Sequence, residues 1–141
     1  MENRTAFRLL IADDHACTAE LLRVLLEPEF NIVGSVRDGS ALVEAAAALL
    51  PDVIVSDISM PCLDGIGAAE RILQANPAAR VVFVSVFADW AIVRRGLGTG
   101  AFGFVSKQDA GDELVLAVRA ALCGRQHISR SVRRPDRTYS D

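Results

Sequence analysis

Apolar positions along this chain alternate between short unbroken runs and longer stretches with helical spacing. FRLLIADD (7–14) is an apolar run ending in acids. CTAELLRVLLE (17–27) sets Cys17, Leu21, Val24 and Leu25 on one helical face, with Pro28 to stop it. NIVGSVR (31–37) reads as a strand, and ALVEAAAALL (41–50) as a helix closed by Pro51. DVIVSD (52–57) is a third strand. GIGAAERILQANP (65–77) is a helix with Asp64 as N-cap and Asn76-Pro77 as stop. ARVVFVSVF (79–87) and AFGFVSK (101–107) are further strands, with the helix DWAIVRRGL (89–97) between them. Asp109 and Asp112 mark the start of a last helix through LVLAVRAAL.

Five strand–helix pairs in strict alternation predict an α/β fold. Strands one, three and four are nearly continuous apolar runs, the mark of parallel strands covered on both faces. The expected architecture is a doubly wound five-stranded parallel sheet, whose ligands sit beyond the carboxyl ends of its strands. Residues 1–123 form the domain. Residues 124–141 carry five arginines and no periodicity, and read as an Arg-rich tail or truncated linker.

Composition narrows the function little. The chain has 141 residues, 51% of them hydrophobic, and a formal net charge of −3. That excludes a generally basic nucleic-acid coat. No apolar run is long enough to span a bilayer, and MENRTAFRLL has no signal-peptide layout, so a cytoplasmic location without membrane contact is expected. Cys17, Cys62 and Cys123 are too scattered for a zinc site or a disulfide framework and read as small apolar fillers.

The chemistry lies at the strand ends. Strand one delivers Asp13 and Asp14, strand three Asp57, strand four Ser85 and strand five Lys107. Like charges about 5 Å apart at an effective dielectric near 20 repel by roughly 3 kcal/mol per pair. Lys107 offsets one charge of three, so the site calls for a cation, and oxygen-only ligands favour Mg²⁺. Such a site takes an anionic oxygen ligand, most plausibly phosphoryl, and a carboxylate can itself be the nucleophile. Asp57 stands centrally for that role, with Met60-Pro61 fixing the loop beyond it.

The pattern D-x-x-M-P-x-x-D-G from Asp57, with the Asp13-Asp14 pair before it and Ser85 and Lys107 after it, resembles the receiver domain of bacterial response regulators. IADDH, GAFGFVSK and the stretch through GRQHIS are similar to the subgroup that precedes a LuxR-type helix-turn-helix (NarL/FixJ). The resemblance implies a flavodoxin-like sheet in the order 2-1-3-4-5. It implies that Asp57 accepts phosphate from a sensor histidine kinase or phosphotransfer protein. Asp14 would hold Mg²⁺ directly with Asp13 in support, and the Ser59 carbonyl would be a ligand. Lys107 would bind the phosphoryl oxygen, Ser85 would swing toward it, and Phe104 occupies the switch-aromatic position, although core packing explains Phe104 equally well. A homodimer, and DNA contact through a domain outside this chain, belong to the same expectation. Either the chain was cut before such a domain or it is a natural stand-alone regulator.

Three residues near the site read as bland: His15 as a rim residue opening the first helix, and Met60 and Cys62 as loop contacts. The rival is a Mg²⁺-dependent aspartyl-nucleophile phosphohydrolase. Such enzymes need a second acid two residues after the nucleophile, and Ser59 stands there. The chain is therefore expected to be no enzyme beyond its own phosphorylation and dephosphorylation.

Overall fold

The computed structural model describes residues 6–132. Its elements are β1 (Arg8–Ala12), α1 (Ala16–Leu26), β2 (Asn31–Val36), α2 (Gly39–Leu49), β3 (Val53–Ser56), α3 (Gly65–Ala75), β4 (Val81–Ser85), α4 (Trp90–Leu97), β5 (Gly103–Ser106), α5 (Ala110–Leu122) and β6 (His127–Ile128). A single 3-10 turn, Lys107–Asp109, joins β5 to α5. The strands form one sheet in the order β2-β1-β3-β4-β5-β6, and every pairing is parallel. No helix among the described residues is long and apolar enough to cross a membrane.

Because side chains alternate along a strand, successive residues of the central strands feed opposite cores. Leu10, Ile54, Val81, Phe83 and Phe104 face α2, α3 and α4. Leu9, Ile11, Val53, Val55, Val82, Val84 and Val105 face α1 and α5. All are essentially buried, each contributing about 1.5–3 kcal/mol. Two-sided burial is why these strands read as continuous apolar runs.

The expected doubly wound sheet is present, and the structure adds a sixth strand. The sheet continues past residue 123, where the sequence placed the end of the domain. His127 lies opposite Gly103 and Ile128 opposite Phe104, and Ser129 and Val132 are buried. Residues 124–132 are therefore part of the fold, and β5 is not the edge strand. Residues 133–141 of the expected tail lie outside the described residues.

Two local readings need correction. On α1 the buried residues are Leu22 and Leu26, while Leu21 and Val24 are more than half exposed. All three cysteines are exposed and free rather than small apolar fillers. Asp109 and Asp112 do mark the start of α5, with Asp109 at the N-cap position and Asp112 in the first turn; the Asp109 carboxylate accepts from the backbone N–H and hydroxyl of Ser131. Asp64 does cap α3, accepting from Gly67 N–H at 2.8 Å.

Candidate functional site

Parallel strands end together, so β1, β3 and β5 bring their following residues to one rim. Asp57 N–H donates to the Ala12 carbonyl at 2.8 Å, fixing the end of β3 beside β1. Gly65 holds the start of α3 against the same point: its N–H donates to Ile58 O at 2.7 Å. A Cβ on Gly65 would stand 2.0 Å from the Asp57 carbonyl oxygen. Glycine is needed there for close approach.

Lys107 reaches back from β5 and bridges two acids. Its Nζ lies 3.1 Å from Asp13 Oδ2 and 3.1 Å from Asp57 Oδ2. Asp13 is fully buried and Asp57 nearly so. Asp57 Oδ1 accepts from Ile58 N–H at 2.7 Å, and Asp13 Oδ1 accepts from His15 N–H at 2.9 Å. Burial pushes the Asp57 carboxyl above the usual carboxylate range; Lys107 opposes this and Asp13 adds to it. Burial works against the Lys107 ammonium, but Asp13 and Asp57 together raise its pKa above the ordinary value. One ammonium is thus placed between the carboxyl groups of Asp13 and Asp57.

Asp14 shows what the bridge leaves undone. Its Oδ1 is buried and receives no hydrogen bond; the His15 Nδ1 lies 3.1 Å away. Ligand atoms of Asp13, Asp14, His15 and Asp57 all lie within 4.8 Å of one another. An orphaned carboxylate oxygen beside two more carboxylates is a donor set that fits a hard divalent cation. The sequence reading set His15 apart from the ligands, and the structure places its ring against them. The sequence carried that signal only as adjacency to the acid pair.

The remaining expected residues occupy different settings. Ser85 is buried at the end of β4, and its Oγ accepts from Phe87 N–H at 3.0 Å. Ser59 is exposed in the loop leaving β3, while Met60 packs into the core. Phe104 is fully buried, its ring 6.3 Å from that of Phe83 and tilted by 50°. That packing is by itself a sufficient reason for an aromatic at this position.

A second set of polar residues, at β6, was missed. Glu113 is buried on α5, with Oε1 2.8 Å from His127 Nε2. Its Oε2 accepts from the backbone N–H and Nε of Arg130, at 3.0 and 3.1 Å. Burial would raise the Glu113 carboxyl, but these donors hold it below its ordinary value.

Residues 9–119 match the family model described as the response regulator receiver domain. The transcriptional regulatory protein DegU of Brevibacillus brevis is 34% identical over 128 residues, covering 89% of this chain and 54% of that protein. A probable transcriptional regulatory protein NarL of Mycobacterium tuberculosis is 35% identical over 127 residues, covering 89% and 59%. The chain therefore spans little more than half the length of these curated relatives. Among solved structures, a LuxR-family two-component response regulator from Aurantimonas sp. superposes with a TM-score of 0.87 at 30% identity, covering 91% of this chain and 93% of that one. The isolated receiver domain of RcsB from Salmonella enterica, solved with the phosphomimetic BeF3⁻, gives 0.83 at 29% identity, covering 91% and 96%.

Proposed function

The chain belongs to the response regulator receiver family, of the LuxR type, and from that premise we propose that Asp57 is its phosphoacceptor. The observation that carries the reading is the Lys107 bridge: one partly buried ammonium held 3.1 Å from both Asp13 and Asp57, beside a buried Asp14 Oδ1 that accepts no hydrogen bond. Asp57 Oδ2 attacks the phosphorus of a phosphohistidine on a sensor kinase or phosphotransfer protein. The P–N bond breaks, and the imidazole leaves as the aspartyl phosphate forms. Lys107 pairs with a phosphoryl oxygen and offsets the charge that arrives. The Ser85 hydroxyl turns from Phe87 N–H toward the phosphoryl group, and Phe104 reports the change through its packing on Phe83. Asp14, Asp13, Asp57 and the Ser59 carbonyl would hold Mg²⁺, which supplies charge neutralisation at the phosphoryl oxygens when bound. The chain catalyses only its own phosphorylation and dephosphorylation.

The relatives support a wider role, which we propose together with the phosphoacceptor reading. It acts in the cytoplasm, forms a homodimer, and controls transcription through a DNA-binding domain of a longer protein. Incubation with acetyl phosphate and Mg²⁺, followed by intact-mass measurement, tests the central step. Wild type gains one phosphoryl mass; a chain that gains none overturns the reading.

A further inference from the structure

The residue that bridges the acids is itself held from the far side of β5. Ser106, just before Lys107, donates its backbone N–H to the Oγ of buried Ser129 at 2.9 Å. Asp109, two residues after Lys107, accepts from both the N–H and the hydroxyl of Ser131. Lys107 and Asp109 share the single 3-10 turn that starts α5. The turn is thus pinned at both ends by one short stretch, residues 129–131.

That stretch is well anchored in turn. His127 N–H donates to Phe102 O and Ser129 N–H to Phe104 O, both at 3.0 Å. Glu113 holds His127 and Arg130, and Val132 is buried in the core that contains Phe104. Only the 3-10 turn separates the acid pocket from this clasp, and the chain runs on from the clasp toward residue 133.

We propose that residues 127–132 form a clasp that positions Lys107 for phosphoryl transfer, with Ser129 and Ser131 as positioning residues, and that pocket occupancy and clasp docking are linked. The inference rests on the phosphoacceptor reading of Asp57. Moving the Lys107 ammonium off its two acids weakens its hold on the incoming phosphoryl group. By linkage, a phosphoryl group that draws Lys107 away from Asp13 changes the stability of the clasp by the same free energy. The clasp is then the element through which the pocket addresses the following chain.

The test compares phosphorylation rates from acetyl phosphate and Mg²⁺, by intact mass, for wild type, Ser129→Ala, Ser131→Ala, Ser129→Thr and Arg119→Ala. Misplacement of a positioned group by about 1 Å can cost up to about a hundredfold in rate. Ser129→Ala should be slower by about tenfold on that scale, Ser131→Ala by less, and Ser129→Thr should recover most of the loss. Arg119→Ala breaks only the exposed pair with Glu29 and should match wild type. Amide exchange of 127–132 should also change when wild type is loaded with Mg²⁺ and beryllofluoride. A wild type that is not phosphorylated overturns the reading of Asp57 and this inference with it. A phosphorylated wild type with an unchanged Ser129→Ala rate, or with unchanged exchange in 127–132, overturns the clasp alone. Should Ser129→Ala fail to fold, the Ser131→Ala rate decides in the same way.

Discussion

The protein buries acids in two places and treats them in opposite ways. At the ends of β1 and β3, Asp13 and Asp57 share one ammonium, and Asp14 Oδ1 accepts no hydrogen bond. At β6, both oxygens of Glu113 are taken up by His127 and Arg130. Burial raises Asp57 above its ordinary range, whereas donors hold Glu113 below its own. A saturated acid is cement, since nothing more can bind it. In the pocket, Asp57 stays buried at a cost and Asp14 Oδ1 accepts no hydrogen bond, a setting open to a cation.

The largest expected effect would erase the chemical half of the contrast. Asp57→Asn should abolish phosphoryl gain from acetyl phosphate while leaving the far-ultraviolet circular dichroism unchanged. A variant that still gains the mass would move the nucleophile elsewhere. Glu113→Ala should leave the pocket's acids in place but destabilise the fold by about 2 kcal/mol, because the Arg130 N–H and guanidinium lose their acceptor. Urea denaturation would read this as a lower midpoint at unchanged slope. A loss below about 0.5 kcal/mol, the level of an ordinary surface substitution, would show the clasp to be ornamental.

The third effect has the opposite sign. Without divalent cation, Asp57→Asn should stabilise the fold by about 1 kcal/mol, because an ionised group that repels Asp13 and resists burial becomes neutral. Adding Mg²⁺ at a hundred times its dissociation constant should stabilise wild type by about 2.7 kcal/mol and the Asn variant by less. Equal metal responses would remove Asp57 from the ligand set.

The two regions were also unequally legible in the sequence. An apolar strand ending in an acid is a visible anomaly, and the strict alternation placed Asp13, Asp14, Asp57, Ser85 and Lys107 on one rim. The clasp gave no such signal. Glu113 looks like any acid in a first helical turn, β6 is two residues long, and Arg130 falls in a stretch that reads as an Arg-rich tail. Asp109 marks the start of α5 as its sequence position suggests, but nothing in the sequence shows that Ser131 is the partner of its carboxylate. On α1 the pairs Leu21-Leu22 and Leu25-Leu26 give two adjacent faces the same helical spacing. Only packing against the sheet selects Leu22 and Leu26.

Acid titration separates the two regions by sign, with the smallest effect of the four. Glu113, and Asp109 with its Ser131 donors, have folded pKa values below their ordinary 4.5 and 3.8. Each binds fewer protons folded than unfolded. Its stabilisation is therefore complete above the ordinary value and drains as pH falls through the lowered one. Asp57 has a folded pKa above its ordinary 3.8, so its contribution is favourable at low pH and lost as pH rises through the raised value. Unfolding free energy without divalent cation, measured from about pH 6 down to 3, carries both slopes. Each group contributes at most about 1.4 kcal/mol per pH unit. Glu113→Gln removes a positive slope and should flatten the acid limb. Asp57→Asn removes a negative one and should steepen it. Two variants that bend the limb the same way would mean that the acids at β6 and in the pocket do not differ as their hydrogen bonds indicate.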